Sequence, residues 1–220
     1  MIKMYDAEKL IKLDPNRDPN VADEVPPVDS DMLKLRQQKL NNDLLPLRRA
    51  IQALGWAHSS DIWEIKTRNP ADYEVLFPVL VEHLQFPYYP LNLEAIVRAL
   101  TLKRARKLAW EPMKKLLQAN RIDLVHPSDP YFRNCCQSLR GAIMNALGVM
   151  ATKEDLDEVL DMIQNDALGD SRILMIVELK KIFDPRVIPV LRKIRSTGKL
   201  KFACDSVLKS GKYKSQLDNN

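Results

Sequence analysis

A short apolar pattern recurs in the second half of the chain and constrains the fold more than any other sequence feature. The best copy covers residues 139–148, and two further copies follow when Ala146 is aligned with Glu178 and with Val207. These copies lie 32 and 29 residues apart, which is about the length of two antiparallel helices with their turns. Because one amphipathic pair cannot bury its apolar stripe alone, the repeat predicts a stack of helix pairs with a continuous core.

The repeat is less regular toward the N-terminus. Residues 92–101 match the pattern in their apolar positions, but the interval from Ala99 to Ala146 is 47 residues. An irregular segment, residues 121–133, contains prolines and no helical period, and it accounts for the longer interval. Because this segment interrupts the repeat, we expect it to carry much of what is specific to this protein.

Periodicity and turn residues divide the rest of the chain. Residues 1–28 are rich in proline and turn formers, so we expect an irregular N-terminal arm followed by one helical domain over residues 29–220. Thr152 and Asp155 have the spacing of a capping box, which would begin a helix there. The predicted helices span residues 29–40, 43–56, 60–67, 72–85, 92 to about 104, 106–120, 134–150, 153–165, 171–183, 185–196 and 199–210, and we expect a kink or a break near Arg104 between the fifth and the sixth.

A second recurring pattern is a proline within an apolar run, found at Pro78, Pro112 and Pro189. A proline in a helix interior removes one backbone hydrogen bond and bends the helix. We therefore expect bent outer helices, which suit a curved stack.

Composition favours an all-α fold. Only 6 glycines and 6% aromatic residues are present, whereas tight hairpins and strands use more of both. The cysteines Cys135, Cys136 and Cys204 are too few for a disulfide framework, so we expect reduced packing residues. No apolar stretch approaches the length of a membrane span and no signal peptide is apparent, so we expect a cytoplasmic protein.

Charge is distributed unevenly along the chain, whose net charge is +5. Acidic residues dominate the segment 153–184, and basic residues dominate the segment 185–220. In a stack of pairs these segments would be neighbours, so we expect part of their charge to pair internally. Two basic clusters, within residues 98–121 and 186–214, would track phosphates if they shared a concave surface.

Two segments resemble the HEAT-repeat family. Residues 184–191 look like the first helix of a HEAT repeat, and residues 139–148 look like the second. The resemblance covers roughly residues 70–210 and, more weakly, 30–56. It implies a right-handed α-solenoid of about four to five stacked antiparallel helix pairs. In that family a basic residue at the start of the second helix bonds neighbouring repeats, which implies structural roles for Arg140, Arg172 and Lys201.

Catalytic and metal-binding patterns are absent from the sequence. The histidines His58, His83 and His126 have no second ligand at a suitable spacing, and no phosphate-binding glycine loop or nucleophile motif occurs. The carboxylates between residues 154 and 161 lack the glycine and terminal glutamate of a calcium loop, and they fit the N-terminal charge of a helix. We therefore expect no catalytic residue, metal or cofactor, and the sequence favours a protein other than an enzyme.

Aromatic and basic side chains near helix ends are the candidate binding residues. Tyrosine and tryptophan anchor many protein interfaces, although they also cover the ends of cores. The predicted partner-binding residues are Trp56, Trp63, Tyr88, Tyr89, Arg98, Arg104, Lys107, His126, Tyr131 and Arg133.

The expected function is a protein-binding scaffold or adaptor whose partner is another protein. By analogy of fold alone, a small bacterial protein of this kind would be an immunity-type protein that binds and blocks its partner. The alternative is a nucleic-acid-binding HEAT-like protein that resembles the DNA glycosylases and uses a basic concave surface. We expect no membrane partner.

Overall fold

The computed structural model describes residues 30–119, 131–195, 198–211 and 213, and these residues form helices and short connections without a β-strand. The predicted all-α class is confirmed. The predicted arm, residues 1–28, and most of the irregular segment 121–133, with His126, lie outside the described residues. The chain forms two compact units, Met1–Lys39 and Leu40–Asn220, whereas the proline and turn residues predicted a boundary at residues 28–29.

Helices of about two to five turns alternate with single turns. The α-helices of the described residues are α1 (Ser30–Asp43), α2 (Leu45–Ala53), α3 (Ile62–Ile65), α4 (Pro70–Tyr73), α5 (Phe77–His83), α6 (Pro90–Ala99), α7 (Arg106–Gln118), α8 (Phe132–Met150), α9 (Leu156–Gln164), α10 (Arg172–Glu178), α11 (Val187–Ile194) and α12 (Lys201–Leu208). Short 3-10 helices cover Glu74–Leu76, Lys103–Ala105, Lys153–Asp155, Asp166–Ser171, Leu179–Lys181 and Gly198–Leu200.

The helices of the second unit pack in two rows. In the front row, α3 packs on α6, α6 on α8, α8 on α10, and α10 on α12. In the back row, α2 packs on α5, α5 on α7, and α9 on α11. Helix α8 contacts α7, α10 contacts α9, and α12 contacts α11, so each of these pairs contributes one helix to each row. The apolar core lies between the rows.

Burial fixes the register between the front-row helices. Leu139, Arg172 and Leu200 are buried at equivalent positions, and the buried residues that follow each of them have the same spacing. Leu179 is therefore the equivalent of Ala146 and Val207, and the predicted alignment of Glu178 with these two was wrong by one residue. The apolar alignment missed this register because a buried arginine occupies a leucine position.

The two arginines that the family resemblance made structural have different roles. Arg140 donates to the carbonyl oxygen of Ala167 at 3.0 Å, which joins α8 to the turn of the following pair. Arg172 donates to the carbonyl oxygens of Gly169 and Ile163 at 2.9 and 3.3 Å and to Asp166 Oδ1 at 2.6 Å. Arg172 thus stabilises the turn within its own pair, and Lys201 is exposed.

Two of the three prolines predicted inside helices lie in first turns. Pro78 follows the first residue of α5, and Pro189 is the third residue of α11. Because amide groups in a first turn have no intrahelical acceptor, these prolines remove no helix hydrogen bond. Pro78 instead begins a new helix and divides the predicted helix 72–85. Only Pro112 lies inside a helix of the described residues, α7, so the expectation of bent helices at the other two was wrong.

Ion pairs join successive helix pairs, as the uneven charge predicted. Glu74 pairs with Arg104 at 2.8 Å and Asp157 with Arg186 at 2.6 Å, and these partners are 30 and 29 residues apart. Asp170 and Lys199 are likewise 29 residues apart and lie at 3.0 Å. Arg106 and Asp155 are 49 residues apart because the irregular segment lies between them. The predicted internal pairing of the acidic and basic segments is confirmed.

Candidate partner-binding surface

The solvent-exposed side of the front row, here called the front face, carries the most exposed large apolar side chain of the described residues. The register of the row makes Glu94 of α6, Gly141 of α8, Leu174 of α10 and Phe202 of α12 equivalent. Leu174 is 39% exposed and Phe202 is 85% exposed. The front face therefore has an apolar end at α10 and α12.

Gly141 leaves room beside this apolar end. A Cβ atom added to Gly141 would lie 3.4 Å from Cδ1 of Leu174 and would meet no other side chain. Sequence reasoning did not select Leu174, because the shifted alignment placed it with the buried residues Ala142 and Ala203. Phe202 was aligned correctly with Gly141, but a glycine at that position gave no sign of an exposed site.

The opposite end of the front face is charged. Glu94 of α6 is buried, with 7% of its side chain exposed, and its Oε1 accepts from Nε of Arg98 at 2.7 Å, while Nη2 of Arg98 lies 2.7 Å from the same oxygen in the ion pair. The Oε2 atom of Glu94 has no hydrogen-bond partner among the described residues. Lys66 follows α3 and places its Nζ 3.9 Å from the ring centroid of Trp63. The predicted residues Trp63 and Arg98 thus lie at one end, with Lys66 and Glu94 in addition.

Electrostatics distinguish this charged end from an ordinary ion pair. Burial lowers the pKa of the Lys66 ammonium, repulsion from Arg98 lowers it further, and Glu94 raises it. Two cations therefore share one carboxylate. The ammonium of Lys66 has no ion pair in the part of the chain that the structure describes, apart from its contact with the indole of Trp63.

Several other predicted residues lie near the loop between α5 and α6. Tyr88 is 6% exposed and its hydroxyl lies 2.5 Å from Nδ1 of the buried His83. Burial, together with Asp43, raises the pKa of Tyr88 to about 12, so the hydroxyl donates and Nδ1 accepts. Phe86 stacks on His83 with ring centroids 4.4 Å apart. Tyr88 therefore offers little surface to a partner, and its role in this cluster is packing.

Tyr89 and the start of α8 meet at this loop. The backbone N–H of Tyr89 donates to Asp43 Oδ2 at 2.8 Å, and its ring contacts Phe132 edge-on with centroids 5.6 Å apart. Tyr131 and Arg133 flank Phe132 and are exposed. Loop 86–91 and the beginning of α8 thus form one surface region, which includes the predicted residues Tyr89, Tyr131 and Arg133.

Trp56 lies elsewhere and is bound locally. Its indole N–H donates to the carbonyl oxygen of Ser59 at 3.2 Å, and its ring contacts His58 edge-on at 5.0 Å between centroids. The side chain is half-buried and packs against the core. This arrangement favours the second of the two roles that the sequence allowed, a cover over the end of the core.

Most arginines of the predicted basic clusters are in ion pairs. Arg104 binds Glu74, and Arg106 binds Asp155 through two nitrogens at 2.6 and 3.2 Å. Lys114 bridges Glu111 and Glu158 at 2.7 and 2.8 Å. Lys107, in the same cluster, is exposed. Arg104, Arg106 and Lys114 of the first cluster are therefore neutralised by carboxylates.

Comparison with known proteins identifies no relative. No protein-family model, no curated protein and no solved structure matches this chain. Among the described residues, no three side chains of histidine, cysteine, aspartate or glutamate are grouped to bind a metal ion. None of the described helices is long and apolar enough to cross a membrane.

Proposed function

We propose that this chain is a non-enzymatic protein-binding scaffold or adaptor and that the front face receives its partner. The observation that supports this most directly is the exposure of Phe202 and Leu174 at equivalent positions of two helices that pack on each other. Large apolar side chains that remain in water at equivalent positions of neighbouring helices are typical of protein-binding surfaces. An immunity-type protein that binds and blocks its partner is the specific form of this proposal.

A HEAT-like right-handed α-solenoid is the architecture we propose for the second unit. Its support is the succession of front-row and back-row contacts together with ion pairs between residues 29 and 30 positions apart. A stack of equivalent pairs repeats its contacts at the length of one pair. The bond from Arg140 to the turn of the next pair agrees with the role expected of that residue.

The nucleic-acid alternative has weaker support. A surface that tracks phosphates needs cations that can exchange counterions for the nucleic acid. Carboxylates already bind Arg104, Arg106 and Lys114. The last two lie on the back-row helix α7, whereas Arg98 lies on the front-row helix α6. These cations therefore do not form one continuous basic surface.

A position-specific photo-crosslink tests the proposed function. We would replace Phe202 by benzoylphenylalanine in the organism that makes the protein and irradiate the cells. The control variant carries the same group at Leu108, which is 46% exposed on the back-row helix α7. We expect one discrete protein adduct at position 202 and none at 108. Adducts to nucleic acid, equal adducts at both positions, or no adduct at 202 would contradict the proposal.

A further inference from the structure

At the charged end of the front face, the two cations Lys66 and Arg98 lie near the single buried carboxylate of Glu94. Both cations have hydrogen-bond donors without an acceptor among the described residues. Nε of Arg98 donates to one oxygen of Glu94 and Nη2 lies 2.7 Å from the same oxygen, whereas Nη1 has no acceptor among the described residues. Lys66 also lacks a hydrogen-bond acceptor there, and the indole of Trp63 lies against its ammonium. Because a desolvated cation is stabilised by a nearby anion, this end is complementary to a carboxylate.

Glu94 positions the arginine of this site. Its carboxylate is buried, so it fixes the guanidinium of Arg98 while it neutralises only one of the two cations. About half of the Arg98 side chain, 53%, stays exposed, so the free Nη1 edge can reach a partner. The lowered pKa of Lys66, which burial and Arg98 cause, agrees with a site that lacks an anion.

Resting on the proposed function, we propose that Lys66 and Arg98 bind a carboxylate of an acidic segment of the partner protein, while Leu174 and Phe202 bind an apolar side chain of the same segment. Helices α6 and α12 are three helix-to-helix steps apart in the front row. At about 9 Å per step, this is roughly 27 Å, which an extended chain spans in about eight residues. The partner segment should therefore carry acidic and apolar residues with about that separation.

Peptide display on the full-length protein tests this inference. We would select binders from a random library of twelve-residue peptides and measure the affinity of the enriched peptides for four variants. Lys66→Gln and Lys66→Glu leave the pair of Glu94 and Arg98 intact, and Phe202→Ser alters the apolar end. Lys115→Gln on the back-row helix α7 is the matched control, because it removes an exposed lysine without touching the front face.

We expect enriched peptides with an aspartate or glutamate about eight residues from an aromatic or aliphatic residue. Lys66→Gln should weaken their binding at least fivefold, Lys66→Glu and Phe202→Ser more strongly, and Lys115→Gln not at all. Raising the salt from about 50 to 300 mM should weaken binding to the wild type more than binding to Lys66→Gln, since only the charge pair with Arg98 remains to be screened in the variant. Thermal melts of each variant separate loss of binding from loss of folding.

Several outcomes would overturn the inference. These are enriched peptides without acidic residues, acidic peptides that bind Lys66→Glu as well as the wild type, the absence of any enriched peptide, and tighter binding of a DNA duplex that Lys66→Glu abolishes. The proposed function is judged separately by the crosslink at position 202. If that crosslink forms while the peptides ignore Lys66, the protein-binding role stands and the acidic partner is wrong.

Discussion

Asp155 is the residue whose replacement should cost most among the carboxylates that join helix pairs. Its Oδ2 accepts from the backbone N–H of Thr152 at 2.8 Å and from the hydroxyl of Thr152 at 2.7 Å. Arg106 donates to both carboxylate oxygens, at 2.6 and 3.2 Å. The side chain of Asp155 thus caps the turn that begins α9, as the capping-box spacing predicted, and it also binds the start of α7.

The loss of stability expected for Asp155→Ala can be worked out from these contacts. Loss of the cap costs about 1 kcal/mol. Removing one partner of a fully buried ion pair costs about 3–5 kcal/mol, but the side chain of Arg106 is 28% exposed, so water screens part of this and we take about 2 kcal/mol. We expect a total loss of about 3 kcal/mol in the free energy of unfolding, measured by urea denaturation at pH 7.

The pH dependence provides a second measure of the same contacts. Burial acts to raise the pKa of Asp155, but the hydrogen bonds from Arg106 and Thr152 outweigh it, so the pKa lies below its usual value of 3.8. The stabilisation is therefore complete above about pH 4 and is lost as the pH falls through the lowered pKa. The difference between wild type and Asp155→Ala should shrink between pH 4 and pH 2.

Asp157→Ala is the matched control for this prediction. Asp157 also joins two helix pairs, through Arg186, but its side chain is 80% exposed. Because water screens an exposed pair, we expect no resolvable change in the unfolding midpoint. Equal stability losses for the two variants, or a loss for Asp155→Ala that stays constant down to pH 2, would refute the reasoning.

Three further predictions concern packing. Gly141→Ala should raise the free energy of unfolding by about 0.5–1 kcal/mol, because alanine has a higher helix propensity than glycine. Gly148→Ala should lower the free energy of unfolding by about 1 kcal/mol, because the added Cβ would lie 3.1 Å from the Cβ of Glu178. The melting temperatures of the two variants should therefore shift in opposite directions. Burial lowers the pKa of His83 below 6.5, so the free energy of unfolding of the wild type should fall as the pH drops below about 6.5. His83→Phe should remove this pH dependence in urea titrations. The same change of stability with pH in the variant would contradict the prediction. Tyr213 is fully buried and donates to the carbonyl oxygen of Ile182. Tyr213→Ala should therefore lower the free energy of unfolding by about 3–5 kcal/mol in urea titrations. A loss below about 1 kcal/mol would contradict the position of Tyr213 in the core.

Local rules predicted the local structure of this chain well. The capping box at Thr152 depends on residues three positions apart, so sequence contains all the information it needs. The same holds for the helical class, which follows from apolar periodicity and scarce glycine. Proline positions were harder to interpret, because a proline such as Pro78 is favourable in the first turn of a helix but breaks a helix interior. Which of the two applies depends on where the helix begins.

The contents of the front face could not be predicted from the same rules. A helix turns by about 100° per residue, so an alignment that is wrong by one residue moves a side chain from the core to the surface. This is what hid Leu174, since Arg172 stands where the neighbouring helices carry leucine. Likewise, the sequence marks Glu94 as one more charged residue of an amphipathic helix, and only the packing of α3 on α6 shows that it is buried.

Pairing, rather than the number of charges, separates structural from functional cations in this fold. The back row includes more positive side chains than the charged end of the front face, yet Arg106 and Lys114 each bind a carboxylate on the next pair. Removing such a cation should therefore change stability first. Lys66 has no carboxylate of its own among the described residues, so its removal should leave stability nearly unchanged while it alters recognition of an acidic partner. The two classes of variant should thus separate cleanly when melting temperature is compared with peptide affinity.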